Sequence, residues 1–247
     1  MNISVILPIY NEEKIISATI AEILKKLPKY AECFEIIAVD DGSSDKTPNI
    51  LESLAKKYKN IHIVTHKPNQ GYGAALQNGI QSAKYSWVFF MDADLQFDIN
   101  DIVQLIPHSE AFDLIVGYRK DRADVPRRIF MSHIYNTIVR MMFPLPVRDV
   151  DCAFKLMRKS TVLDLGKLSN SFFVSSELMI KAALQGARIT ELPVKHLPRT
   201  LGHSKVTPNQ IFKTVRDLLY IYFKTLAPRV LSTKPSFIPA LITERVK

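Results

Sequence analysis

The stretch Met91-Asp92-Ala93-Asp94-Leu95-Gln96 follows the apolar run Trp87-Val88-Phe89-Phe90, so two carboxylates and an amide stand where a buried strand ends. Side chains alternate in extended geometry, which predicts that Asp92, Asp94 and Gln96 leave on one side of the backbone. Oxygen ligands gathered this way suit a hard divalent cation such as Mg²⁺ or Mn²⁺, and a cation held there neutralises a diphosphate. The structural alternative is an acidic turn closing a strand. A second acidic segment, Asp40-Asp41-Gly42-Ser43-Ser44-Asp45, reads either as a binding loop or as a turn in which Ser44 or Asp45 caps a helix. Asp98 and Asp101 are read as cap and surface residues of the following helix.

The elements that must position these groups follow from hydrophobic patterning. Apolar runs alternate with helical patterns: Ile3 to Leu7 then Glu13 to Leu27, Glu35 to Val39 then Asp45 to Lys57, Ile61 to Val64 then Gly73 to Ala83, and finally Ser86 to Met91. Strands that are apolar throughout are buried on both faces, so the pattern predicts an α/β fold with a mostly parallel central sheet and helices on both faces. Asn11 and Asp45 are expected to cap the helices they precede. Ligands of open α/β sheets gather beyond the carboxyl ends of the strands. Those ends are Pro8-Ile9-Tyr10-Asn11-Glu12, Asp40-Asp41 and Asp92-Ala93-Asp94. The first loop lacks the glycines of a dinucleotide-binding fold. Gly71 and Gly73 are better explained by a tight turn into a helix packed close to a neighbouring loop.

Composition bounds the partners. The chain has 247 residues, 47% hydrophobic and 23% charged, enough for one large domain. Its two cysteines, Cys33 and Cys152, form no CxxC pair, which fits a reducing cytosol, and the sequence shows neither a signal-peptide pattern nor a stretch of membrane-spanning length. Net charge is +9 but divides unevenly. Through Gly117 there are 10 Lys+Arg against 15 Asp+Glu, and from Tyr118 onward 23 against 9, a surplus of 14 positive charges that calls for an anionic partner. No nucleic-acid signature or aromatic interleaving accompanies the basic half, so no nucleic acid is expected among its partners.

The strand-end segments, taken with Asn69-Gln70-Gly71-Tyr72-Gly73-Ala74-Ala75, resemble the family 2 glycosyltransferases of GT-A fold. Gly117-Tyr118-Arg119, the segment Arg148 to Leu156, and Arg199-Thr200-Leu201-Gly202-His203-Ser204-Lys205 are similar to the polyprenyl-phosphate branch typified by dolichol-phosphate mannosyltransferase. His203 stands where an acidic residue is frequent in that branch, and the C-terminal membrane helices of many relatives do not follow. The resemblance implies that a GT-A catalytic domain (1–210), followed by an amphipathic helix and tail (211–247), moves a sugar from a GDP- or UDP-linked donor to a polyprenyl phosphate. It implies a donor site formed by Pro8, Tyr10, Asn11, Glu12, Asp40, Asp41, Gly71, Asp92 and Ala93, with a metal on Asp92, Asp94 and Gln96. The acceptor phosphate falls to Arg119, Arg127, Arg128, Arg199, Ser204 and Lys205, because arginine pairs with phosphate in bidentate fashion. Arg122 and Arg140 are read as ordinary solvated arginines.

Catalytic roles are assigned to Asp94, Arg119, Arg199 and Lys205. A lipid monophosphate, with a second pKa near ~6, is already ionised at neutral pH, so inverting attack needs positioning and charge neutralisation more than a base. A sugar-hydroxyl acceptor would instead need a base, for which Asp149 and Asp151 are the candidates; a non-catalytic sugar-nucleotide-binding relative is the other alternative. Two stripes at helical spacing, Phe130-Ile134-Ile138-Met141-Met142 and Ile211-Val215-Leu218-Leu219-Tyr222-Leu226, carry basic flanks. They read equally as peripheral contacts with the cytoplasmic face of a membrane and as packing surfaces, within the chain, in a homo-oligomer or against a membrane-embedded partner.

Overall fold

The computed structural model describes residues 1–198 and 208–225. Seven strands form one sheet: β1 (Asn2–Ile9), β2 (Cys33–Asp40), β3 (Ile61–Thr65), β4 (Trp87–Met91), β5 (Leu114–Lys120), β6 (Phe154–Arg158) and β7 (Ile189–Lys195). Between and after them run α1 (Ile16–Lys26), α2 (Thr47–Lys57), α3 (Tyr72–Ser82), the one-turn α4 (Ile102–Leu105), α5 (Pro126–Met142), α6 (Lys159–Asp164), α7 (Val174–Leu184) and α8 (Pro208–Thr225). The strand order is β3-β2-β1-β4-β6-β5-β7. β1 pairs in parallel with both β2 and β4, and β5 with β7, while β6 alone runs antiparallel to its neighbours β4 and β5.

The apolar runs become the centre of this sheet for the expected reason. β1, β2 and β4 are buried on successive residues, hence on both faces, which only helices packed on each side can achieve. The predicted elements of the first half all appear, with ends displaced by up to three residues. One displacement has a cause: α1 begins at Ile16, preceded by Ile15 and not by Asn11 as its cap residue. Asn11 sits at φ 52°, and its Oδ1 accepts the Ser44 N–H at 2.8 Å, tying the loop after β1 to the loop after β2. Asp101 is likewise not a surface residue. It is buried, and its carboxylate accepts the Lys195 N–H at 2.7 Å.

The helix expected to open a C-terminal appendage packs on the same core. Leu218 and Ile221 of α8 are buried with the sheet residues, Tyr222 meets the Phe143 ring edge-on at 5.9 Å, and Asp217 accepts the Ser171 hydroxyl at 3.2 Å. α5 behaves differently. Its buried residues are Asn136 and Val139, whereas Phe130, Met131, Ile134, Ile138 and Met141 are exposed, Met141 to 82%. Asn136 faces inward because its Oδ1 accepts the Val150 N–H and its amide donates to the Ser132 carbonyl. A polar anchor on the inner side thus leaves the apolar stripe outside. Among the described residues, no helix is long and apolar enough to cross a membrane.

Candidate functional site

Because β1, β2 and β4 are parallel neighbours, the loops that follow them leave the same end of the sheet. The first two loops are laced together: Asn11 N–H donates to Ser43 Oγ (2.8 Å) and Glu12 N–H to Thr47 Oγ1 (2.9 Å). Pro8 is buried within β1, and Tyr10 is 39% exposed just beyond it. Asp40 and Asp41 are both buried, yet they differ in what they hold. Asp40 Oδ1 accepts the Ser43 N–H at 3.1 Å, a local turn contact. Asp41 reaches across to the next loop: Oδ1 accepts the Gln70 N–H (2.8 Å) and faces His66 Nδ1 (2.7 Å), while Oδ2 accepts the Gly71 N–H (2.9 Å). The far nitrogen of His66 meets the Asn78 amide nitrogen at 2.7 Å. An amide nitrogen only donates, so His66 Nε2 accepts and its proton sits on Nδ1, directed at Asp41. Asp41 is therefore a brace that sets the Gly71 turn.

That turn starts α3. Gly71 has φ 99°, a conformation that L side chains avoid, and a Cβ on either Gly71 or Gly73 would collide with the Asn170 or Ser169 carbonyl. The loop at 169–173 consequently lies directly on the start of α3, with Gly73 N–H donating to Asn170 O at 2.9 Å. This is the close approach the two glycines foretold.

The acidic motif after β4 departs from expectation in its backbone. The strand stops at Met91 and the chain bends, with Leu95 at φ 56°, so simple alternation does not set the three side chains. Tertiary contacts set them instead. Asp92 Oδ1 accepts the Tyr72 hydroxyl at 2.7 Å, the Ala93 carbonyl accepts Thr19 Oγ1 at 2.8 Å, Asp94 Oδ1 accepts the Gln96 N–H at 3.1 Å, and Gln96 donates its amide to Leu197 O at 3.3 Å. Among the described residues, no group of three or more His, Cys, Asp and Glu side chains gathers as a metal cage. Two carboxylates and an amide oxygen nonetheless fit a hard cation of the Mg²⁺ type, which commonly takes one or two protein carboxylates and completes its shell with phosphate oxygens.

β5 runs parallel to β4 across the antiparallel β6, so its carboxyl end brings residues of the basic half to the same end of the sheet. Arg119 at the end of β5 donates through Nε and Nη2 to both Asp149 oxygens at 2.7 Å, and its backbone N–H reaches the same carboxylate. Both side chains are about nine-tenths buried. Burial by itself raises the Asp149 carboxyl, but the Arg119 contacts outweigh it and hold the group below the ordinary carboxylate range. Asp151 goes the other way: burial pushes it up, against the Ser176 hydroxyl that donates to it at 2.7 Å. Lys155 on β6 is fully buried and secures this turn from beneath, donating to the carbonyls of Val150 and Cys152 and to Ser175 Oγ. Burial also raises the Cys152 thiol to about 12, which leaves it protonated and inert.

Arg122 is not a solvated arginine. It is held by Asp124 (2.7 Å) and Ser132, and Asp124 also pairs with Arg128 (3.2 Å). His196, at the end of β7, is buried with its Nδ1 unpartnered, 3.9 Å from Asp124. Burial lowers its pKa against the pull of Asp124. Arg127 is exposed, as is Arg140. Arg199, His203, Ser204 and Lys205 lie outside the described residues, as does the tail from 226 onward.

The structure therefore brings together Tyr10, Asn11, Glu12, Asp40, Asp41, Gly71, Asp92 and Ala93 at one sheet end. His66, Tyr72 and Lys155 are structural partners of this site that patterning did not single out; only their place in or next to the quoted segments marked them.

Residues 4–166 match the family model described as Glycosyl transferase family 2. The chain is 30% identical over 227 residues to the dodecaprenyl-phosphate galacturonate synthase of Rhizobium johnstonii, covering 90% of this chain and 67% of that protein. It is 30% identical over 220 residues to the undecaprenyl-phosphate 4-deoxy-4-formamido-L-arabinose transferase of Pectobacterium atrosepticum, covering 88% of this chain and 66% of that protein. It thus spans about two thirds of the length of these curated relatives. In three dimensions it is similar to glucosyl-3-phosphoglycerate synthase from Mycobacterium tuberculosis, solved in complex with Mn²⁺, uridine-diphosphate and phosphoglyceric acid. The TM-score is 0.68 over 90% of this chain and 78% of that one, at 18% identity, a likeness of fold.

Proposed function

The chain belongs to glycosyl transferase family 2, and from that premise we propose that it moves a sugar from a UDP- or GDP-linked donor to a polyprenyl phosphate, with inversion. The observation that carries the reading is the convergence, at one end of a GT-A sheet, of the Asp40–Asp41 loop and the Asp92–Asp94 loop, joined through Gly71 and Tyr72. Carboxylates accept hydrogen bonds from a nucleobase and ribose, and this role is assigned to Asp40, since Asp41 braces the Gly71 turn. Asp92, Asp94 and Gln96 would hold a divalent cation, Mg²⁺ or Mn²⁺, that offsets the charge of the departing nucleoside diphosphate. The naming of curated relatives for polyprenyl-phosphate substrates favours a lipid phosphate as acceptor.

On the acceptor side the protein orients and neutralises. Arg127 and Arg128, at the start of α5, and Arg199, Ser204 and Lys205 are the groups proposed to meet the acceptor phosphate. Arg119 acts mainly through Asp149, keeping the turn at 149–152 in place. That pairing also argues against Asp149 as a base, because its carboxylate is already committed and weakly basic. An ionised phosphate acceptor requires none. The exposed stripe of α5 with Arg127, Arg128 and Arg140 nearby, and the outward Val215, Leu219, Tyr220 and Phe223 of α8, are proposed to rest on the cytoplasmic face of a membrane, where the acceptor's headgroup lies.

The experiment is product analysis by mass spectrometry after incubation with a panel of UDP- and GDP-sugars and vesicles containing polyprenyl phosphate. A polyprenyl-phosphate sugar should form from one donor of the panel in the presence of Mg²⁺ or Mn²⁺. Transfer only to soluble sugars or glycosides would refute the lipid acceptor.

A further inference from the structure

Tyr72 occupies a position that the donor chemistry alone does not require. It opens α3 directly after the Gly71 turn, and its hydroxyl donates to Asp92 Oδ1 at 2.7 Å. Its ring stacks on Phe172 at 5.0 Å and 19°, and meets Phe90 of β4 edge-on at 6.1 Å. Phe172 belongs to the loop that Gly71 and Gly73 admit against the helix start, and Ser171 beside it donates to Asp217 on α8. The ring is thus clamped from both sides, and the hydroxyl is delivered at a fixed point. Asp92 directly follows the last residue of β4, where the backbone bends, and meets that hydroxyl there.

We infer that Tyr72 is a positioning residue: it fixes the Asp92 carboxylate for the metal and diphosphate, with its own ring fixed by Phe172. The inference rests on the donor and metal reading above. A carboxylate with one oxygen already hydrogen-bonded loses less rotational freedom when a cation arrives, and supporting partners of metal ligands commonly govern affinity in this way. Such outer partners are worth about 10- to 100-fold in metal affinity or activity. The arrangement also fits a tyrosine before Gly73: its ring packs between Phe90 and Phe172 while its hydroxyl donates to a carboxylate.

The test compares wild type with Tyr72→Phe and Phe172→Ala, reading Mn²⁺ binding directly by the loss of the free-ion EPR signal, with and without added UDP or GDP. Tyr72→Phe keeps the stacked ring, so its thermal midpoint should stay with wild type. Its Mn²⁺ affinity should fall about tenfold, and the Mn²⁺ concentration for half-maximal transfer should rise in parallel. Phe172→Ala, which frees the ring but keeps the hydroxyl, should fall between the two. Wild-type Mn²⁺ affinity in Tyr72→Phe would overturn the positioning role while leaving the proposed function intact. Failure of the wild-type chain itself to bind Mn²⁺, with UDP, with GDP or alone, would instead remove the metal reading and this inference with it.

Discussion

The two ends of the candidate site hold their charges in opposite ways. At the donor end carboxylates accept hydrogen bonds mostly from the backbone: Asp40 from Ser43, Asp41 from Gln70 and Gly71, Asp94 from Gln96. At the acceptor end carboxylates are matched by guanidinium groups: Asp149 by Arg119, Asp124 by Arg122 and Arg128, Glu191 by Arg148. The difference teaches that a surplus of positive charge does not map a phosphate site. Much of it is consumed in holding loops and strand ends, and the arginines to look for are the exposed ones, such as Arg127. It also separates two failures: breaking a charge at the acceptor end should cost fold, and breaking one at the donor end should cost chemistry.

Asp149→Ala should therefore give the largest effect. It strands a buried guanidinium, which costs about 3–5 kcal/mol of stability in a denaturant titration. Asp94→Asn should instead leave the unfolding midpoint near wild type while transfer falls by about 10²–10³-fold in a steady-state assay, as expected for loss of a charged group that balances a developing negative charge. A similar loss of stability in both variants would erase the distinction. Smaller, and confined to the membrane side, Met141→Ser should weaken co-sedimentation with anionic vesicles about tenfold without changing donor binding, since Met141 is almost fully exposed. Unchanged sedimentation would assign the α5 stripe to a protein contact.

The smallest effect is on the pH dependence of stability, where the acceptor end carries both signs. Asp149 and Asp124 lie below the ordinary carboxylate value of 3.8, so their contribution is present above that value and is lost as pH falls through their folded values. Asp151 is raised, so its contribution is complete below 3.8 and is lost as pH rises through its folded value. Unfolding free energies measured from pH 3 to 8 should show Asp149→Asn flattening the acid limb and Asp151→Asn flattening the decline above it. Curves parallel to wild type in both variants would contradict these assignments.

What the sequence made legible divides along the same line. The first half could be read because its strands are continuous apolar runs, and residues just beyond parallel neighbours must meet at one end of the sheet. Asp40, Asp41 and Asp92 follow from that rule with no knowledge of side chains. Backbone bends were not legible: nothing in the sequence announces that the strand stops at Met91 or that Leu95 is left-handed, and together these end the alternation. β6 was obscured by Lys155, a charged residue near the start of a buried strand, whose ammonium group is held by the Val150 and Cys152 carbonyls and the Ser175 hydroxyl, partners that a strand pattern does not reveal. α5 inverted the usual reading of an apolar stripe, because Asn136 has a buried partner in the Val150 N–H that periodicity cannot register. The pairing of Arg122 with Asp124, two residues apart, was present in the sequence but indistinguishable there from surface charge.

The central claim, that a sugar nucleotide on the carboxylate side meets a phosphate on the basic side, is tested most directly by release of nucleoside diphosphate from the productive donor. The comparison is between vesicles carrying polyprenyl phosphate and vesicles carrying the same polyprenol without its phosphate. Release should rise with the phosphorylated lipid and stay at the hydrolytic background with the alcohol. Equal release with both lipids would contradict the account, since the acceptor would then be recognised without the charge that the basic half is proposed to meet.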